Sequence, residues 1–186
     1  MDELTALARA AGRGDRGALA RLVEQTQADM WRLCARLVDP AAADDLVQES
    51  YLRAIQSLGT FRGDAPVRVW LLAIARRACA AQIAERTRDR QLAGRLAALP
   101  EAAREQPAPE PYAQVVVNDF VSALNPERRA AFVLTQMLGC SYAEAAAICG
   151  CPVGTIRSRV ARAREDLDVM ISQAGPARPS AICAGD

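Results

Sequence analysis

Residues 150–167 read GCPVGTIRSRVARAREDL, and the chemistry they offer is phosphate and base-edge recognition. Arg157, Arg159, Arg162 and Arg164 follow in close succession, with no acid until Glu165. Guanidinium groups are planar donors that pair with phosphate oxygens and bond guanine O6 and N7 bidentately. Pro152 suits the first turn of a helix, where its missing N–H costs nothing. Ile156, Val160, Ala163 and Leu167 then recur at helical spacing, so one stripe faces a core and the arginines face away from it. By itself such a run is as often a solvated helix face as a nucleic-acid surface, and its neighbours must decide.

The preceding residues supply a partner helix. Ser141-Tyr142-Ala143-Glu144 is a capping box that opens a short helix, Tyr142 to Cys149, and Gly150 ends it. A capped short helix, a glycine turn and a second helix with a basic outer face are the parts of a helix–turn–helix. Entering the major groove N-terminus first, the second helix brings Thr155, Arg157, Ser158, Arg159 and Arg162 within reach of base edges or flanking phosphates, and Arg164 extends the same basic face. A small helix bundle that binds protein is the other reading of these parts.

Two further clusters lie in the first half of the chain. Asp44, Asp45, Gln48 and Glu49 form an acidic stripe on one helix. It is either a solvated face with a Glu49–Arg53 pair or a docking surface for a basic partner, and pattern alone leaves both open. Further on, Phe61 and Arg62 precede a helix bearing Arg68, Trp70, Arg76 and Arg77. Aromatic rings interleaved with arginines suit single-stranded DNA, because bases stack on rings while guanidinium groups follow the backbone. Trp70 fits a core with Leu71, Ile74 and Cys79 equally well.

The composition restricts what else the chain can be. Its 186 residues suffice for one medium or two small domains. Half is hydrophobic but only 4% aromatic, an alanine-rich balance that favours helices. Net charge is +1, so nucleic-acid binding must rest on local patches; all the basic residues are arginine. There is no His, no glycine-rich phosphate loop and no clustered nucleophile, which argues against an enzyme. Cys149 and Cys151 form a lone C-x-C with no second pair, so no metal site or other cofactor is expected. With no apparent basic neighbour to lower their pKa, Cys140, Cys149 and Cys151 read as small core residues before oxidant sensors. No secretory signal and no membrane-length apolar run is seen, which points to a reducing cytoplasm and no membrane insertion.

The elements that position these clusters are all helical. A short helix from Leu4 to Ala11 stops at Gly12-Arg13-Gly14. Asp15 caps a long helix carrying Leu19, Leu22, Val23, Met30, Leu33 and Leu37 inward. Asp39-Pro40 divides it from a third helix, Ala41 to Leu58, closed by Gly59. A fourth runs from about Val67 to Ala84 and continues through the charged stretch to Arg90. After Leu92 the composition changes, and residues 100–111 carry Pro100, Pro107, Pro109 and Pro111 without apolar periodicity. A second unit follows: a helix Val115 to Leu124, then one opened by Asn125-Pro126 that runs to Leu138, then the helix–turn–helix. The expected organisation is all-α, with one domain over 1–92, a linker over 93–113, a second domain over 114–172 and a disordered tail over 173–186.

Read together, three strings resemble an extracytoplasmic-function sigma factor: DDLVQESYLRAI from Asp44, VWLLAIARR from Val69, and LNPERRAAFVLTQMLGCSYAEAAAICGCPVGTIRSRVARAREDL from Leu124. The resemblance spans about Asp15 to Asp168 and implies region 2 for the first domain and region 4 for the second. It implies that Asp44, Asp45, Gln48 and Glu49 dock on the clamp of the largest subunit of core RNA polymerase. It implies that the loop Phe61 to Pro66, including Arg62 and Asp64, and the helix bearing Arg68, Trp70, Arg76 and Arg77 open the −10 element and hold a flipped base. It further implies a linker in the RNA exit channel, a second domain on the flap reading −35 DNA, and an anti-sigma protein as a frequent partner. The sequence departs from the family at Val69, where Thr or Ser usually precedes the tryptophan, and at Arg77, where Asn is usual. A stand-alone helix–turn–helix regulator is the competing reading; it would need a sensor or dimerisation domain where this chain has the acidic and aromatic–arginine helices.

Overall fold

The computed structural model describes residues 3–96 and 119–174. Helices α1 (Glu3–Gly12), α2 (Arg16–Leu37), α3 (Pro40–Leu58) and α4 (Val67–Leu96) form a first unit. A second contains α5, helical over residues 119–123, then α6 (Pro126–Phe132), α7 (Tyr142–Cys149) and α8 (Val153–Ala174). No strand occurs among the described residues. The expected tail from Gly175 and almost all of the expected linker lie outside them, as does the start of the helix expected from Val115.

Local chemistry sets the helix starts. Asp15 accepts from the Ala18 N–H at 3.0 Å, and Asp39 from the Ala42 N–H at 2.8 Å, just ahead of a first-turn Pro40. Asn125 and Pro126 open α6 in the same way. At α7 the capping box is reciprocal: Ser141 Oγ accepts from the Glu144 N–H at 3.2 Å, and Glu144 accepts from the Ser141 N–H at 2.8 Å. Each such cap is worth about 0.5–2 kcal/mol. Gly150 then ends α7 in the left-handed region, at φ +65°, where a Cβ would be strained.

The apolar stripes fix the packing. Leu22, Met30 and Leu33 of α2 meet Leu46 and Ala54 of α3 and Leu71, Leu72 and Ala75 of α4. In the second unit, Ile156, Val160 and Ala163 of α8 are buried against α6 and α7. Truncating a buried Leu such as Leu33 to Ala costs about 2–5 kcal/mol. The units do not stand apart: α7 packs on α4, and their buried residues form one continuous cluster.

Two elements differ from the sequence expectation. The helix expected to run from Pro126 to Leu138 widens over Val133–Met137, where the Leu138 N–H donates to the Val133 carbonyl at 3.0 Å. The wider turn lets Val133, Leu134 and Leu138 all face the core, while Thr135 Oγ1 occupies the Ala131 carbonyl at 2.8 Å. Helix α4 also runs past the compositional change at Leu92 and ends at Leu96. Its charged segment is sustained by side chains such as Thr87 and Arg88, which donate back to carbonyls one turn earlier.

Candidate nucleic-acid interface

Helices α7 and α8 form a short capped helix, a left-handed glycine and a second helix whose buried face is Ile156, Val160 and Ala163. Burial of that stripe leaves Arg157, Ser158, Arg162 and Arg164 exposed. Arg157 and Arg162 form no hydrogen bond or ion pair among the described residues, so their donors are available. Arg164 donates to Gln136 at 2.8 Å, and Ser158 Oγ donates to the Thr155 carbonyl at 2.9 Å. Thr155, on the first turn, is half-buried. Arg159 stands apart: it pairs with Glu127 at 2.7 Å and donates to Cys151 Sγ at 3.6 Å.

The loop between α3 and α4 builds a second site. Phe61 and Trp70 are both half-buried, with ring centroids 4.9 Å apart and planes inclined by 41°. They line an open cavity of about 420 Å³ with Ser57, Thr60, Arg62 and Asp64. Arg9 of α1 ties the loop down by donating to the Arg62 carbonyl at 3.2 Å. Gly63 lies at φ +78°, and a Cβ there would stand 2.6 Å from the Arg9 guanidinium. Trp70 therefore packs partly on the core and partly on the cavity, while Leu71, Ile74 and Cys79 are buried. Val69 is also buried, which suits the apolar residue found there.

The arginines of α4 divide. Arg77 is exposed and unpaired among the described residues. Arg68 is held by Asp29 at 2.7 Å, the Leu138 carbonyl at 2.8 Å and Cys140 Sγ at 3.6 Å. Burial works to lower its pKa, but the hydrogen bond and charge of Asp29 outweigh it and hold the pKa up. Arg76 pairs with Glu127 at 3.3 Å, so one carboxylate bridges Arg76 of α4 and Arg159 of α8. Arg129 crosses the same seam to donate to the Leu37 carbonyl at 2.9 Å, at the C-terminus of α2, where a cation is favoured. Nε of Arg76 and of Arg129 are buried at the seam without a hydrogen-bond partner among the described residues.

The cysteines near the helix–turn–helix require a correction. The sequence showed no basic neighbour, yet Arg68 lies at Cys140 and Arg159 at Cys151. Burial nonetheless raises the pKa of Cys140 and Cys149 against the pull of these arginines and Arg76, which keeps both as thiols. On α3, Asp44, Asp45, Gln48 and Glu49 are exposed. The Glu49–Arg53 pair forms at 2.6 Å, and the other three have no partner among the described residues. Leu52 and Ile55, both exposed, extend this face with apolar surface.

Comparison with known proteins agrees with this layout. The family description "Sigma-70 region 2" matches residues 22–89 and "Sigma-70, region 4" matches residues 115–167. The ECF RNA polymerase sigma factor SigC of Mycobacterium tuberculosis is 45% identical over 177 residues, covering 94% of this chain and 93% of that protein. The chain belongs to the extracytoplasmic-function sigma factors. Among solved structures, this sigma factor is similar to RpoE in complex with the anti-sigma factor NepR from Bartonella quintana. The TM-score is 0.68 at 28% identity, covering 83% of this chain and 96% of that one. It is also similar to CnrH in complex with the cytosolic domain of CnrY, with a TM-score of 0.70 at 26% identity, covering 92% and 99%. No helix among the described residues of this sigma factor is long and apolar enough to cross a membrane.

Sequence reasoning missed Asp29, Glu127, Arg129 and Arg9. Glu127 carried a signal, as an acid in the first turn after Asn125-Pro126, but that reads as helix-dipole chemistry. Its pairing with Arg76, 51 residues earlier, has no local cue.

Proposed function

We propose that this sigma factor binds core RNA polymerase in the cytoplasm and directs promoter-specific initiation as a binding factor. In this reading Thr155, Arg157, Ser158, Arg159, Arg162 and Arg164 of α8 read −35 duplex. The Phe61–Pro66 loop, with Arg62 and Asp64, and Arg68, Trp70, Arg76 and Arg77 of α4 take and hold the opened −10 strand. Asp44, Asp45, Gln48 and Glu49 of α3 dock on the polymerase clamp. The carrying observation is the juxtaposition on one chain of an arginine face on α8 with free donors and an aromatic cavity ahead of α4. The first suits duplex DNA, and the second suits an unstacked base.

The seam adds a condition. Arg76 and Arg159 share Glu127 across the seam and Arg68 donates across it to the Leu138 carbonyl, so the units must part before these residues meet DNA, with Arg68 still paired to Asp29 of its own unit. Polymerase would favour the parted state by engaging both units in that arrangement, since α3 is exposed whether or not the units are joined. An anti-sigma protein is a further partner, supported by the solved complex of the similar RpoE with NepR. The test is run-off transcription with core polymerase on genomic fragments. Promoter-dependent transcripts that require both chain and core enzyme are expected. Tight binding of a duplex site by the chain alone, with no transcript on adding core enzyme, would contradict the assignment and favour a stand-alone regulator.

A further inference from the structure

We propose that Cys149-Gly150-Cys151, the turn between α7 and α8, is a thiol-oxidation site in which Cys151 reacts with a peroxide and Cys149 resolves it into a disulfide. The chemistry stands on the turn alone; its consequence for transcription rests on reading α8 as the −35 helix. Among the described cysteines, Cys34, Cys79 and Cys140 are buried, whereas Cys149 and Cys151 are half-buried and within reach of a small oxidant. The two differ in their neighbours. Cys151 Sγ accepts from Arg159 Nη1 at 3.6 Å. The thiolate is the nucleophilic form, and a guanidinium donor beside the sulfur favours it. At Cys149, burial, with the charge of nearby Cys151, holds the proton on against the pull of Arg76 and Arg159. One thiol is thus set to attack and its neighbour to remain protonated.

The backbone suits ring closure. Gly150 lies in the left-handed region, and the N–H groups of Gly150 and Cys151 both return to the Ala146 carbonyl, which turns the chain back between the two thiols. The Cys151 thiolate attacks one oxygen of hydrogen peroxide and the O–O bond breaks. With one proton taken up, the products are Cys151 sulfenic acid and water. The Cys149 sulfur then displaces that hydroxyl, the S–S bond forms, and the hydroxyl leaves with the Cys149 proton as a second water. Two electrons have passed from the sulfurs to the peroxide. A disulfide closed over a single residue is easily reduced, so a dithiol restores both thiols. Closure takes the Cys151 sulfur away from Arg159 and tightens the turn that sets α8 against α7. The exposed Arg157 and Arg162 of α8 are thereby displaced relative to the rest of the second unit, which weakens duplex reading.

The experiment treats the full chain with hydrogen peroxide, removes the oxidant, alkylates free thiols and maps the peptides by mass spectrometry without reductant. A Cys149–Cys151 disulfide is expected, with the other cysteines alkylated. Cys149→Ala should stop the reaction at a Cys151 sulfenic acid, captured by dimedone, and Arg159→Gln should slow it about tenfold. Treated chain is then combined with core RNA polymerase. Run-off transcription from a −35-dependent promoter should fall several-fold and return with dithiothreitol, while Cys151→Ala should transcribe equally before and after peroxide. Cys149 and Cys151 both alkylated after peroxide, or Cys151 joined to Cys183 instead, overturns the inference. A disulfide that leaves transcription unchanged refutes its effect on α8. If the untreated chain gives no transcript with core enzyme, the sigma-factor reading fails, and the peptide map still decides the chemistry of the turn.

Discussion

Helices α4 and α8 both carry arginines proposed to meet DNA, and in this arrangement they hold them differently. On α8, Arg157 and Arg162 are exposed with no partner among the described residues. On α4, Arg68 is enclosed by Asp29, the Leu138 carbonyl and Cys140, and Arg76 is paired with Glu127. The cause is packing rather than composition: α7 lies against α4 and covers the face from which Arg68 and Arg76 project, whereas among the described residues no element covers the outer face of α8. A charged side chain taken from water must find partners; Asp29 of the first unit and Leu138, Cys140 and Glu127 of the second provide them. The face proposed to read duplex is thus presented while part of the face proposed to hold the opened strand is occupied. The cavity between Phe61 and Trp70 remains open.

The largest effect is expected where the comparison would be removed altogether. Charge reversal by Asp45→Arg with Glu49→Arg should weaken holoenzyme formation by on the order of a hundredfold, because like charges then meet at the dock. Wild-type retention of polymerase in a pull-down would refute that role. Arg157→Ala or Arg162→Ala should each lose about 1–3 kcal/mol of promoter binding without loosening the seam. A titration of −35 duplex binding by holoenzyme checks this, and unchanged affinity would deny α8 its free donors.

Glu127→Ala sharpens the contrast from the other side. It leaves Arg76 and Arg159 without their shared carboxylate, and since Glu127 is half-exposed the cost is modest, about 0.5–1 kcal/mol. Proteolysis of the segment between the units should accelerate a few-fold; an unchanged rate would mean that Glu127 does not hold the seam. Ser141→Ala should cost about 1 kcal/mol at the start of α7, read as a lower unfolding midpoint. Its partner Glu144 gives the smallest effect. The Ser141 N–H and hydroxyl hold the Glu144 carboxyl below its ordinary value of 4.5. The folded state therefore binds fewer protons than the unfolded state there. Stability from this group is present above 4.5 and lost as pH falls through the lower folded value. Glu144→Gln should flatten that part of the acid-unfolding curve.

The α7–α8 pair was legible because every cue is local. Ser141 and Glu144 are three residues apart, Gly150 marks the turn, and Ile156, Val160 and Ala163 define the buried stripe. The all-α architecture followed for the same reason, from Asp15, Asp39-Pro40 and Asn125-Pro126 as helix starts. The seam was not legible. Arg68 finds Asp29 across 39 residues and Leu138 across 70, and nothing near Arg68 in sequence announces either. The widening at Val133–Met137 was hidden too, since consecutive apolar residues there satisfy a regular helix pattern as well as a wider one. Which carbonyls take the Ser57 and Thr60 protons is likewise a matter of geometry that residue types do not encode.

The proposed roles of Arg76 and Arg159 require the seam to part when polymerase is bound. The direct measurement is energy transfer between fluorophores placed at Glu85 on α4 and Gln173 on α8, both exposed. It would be recorded on the full chain alone, with core polymerase, and with core polymerase and promoter DNA. A shorter separation is expected in the free chain, lengthening on adding core polymerase and staying long with promoter present. An unchanged separation in a complex that makes transcript would contradict it.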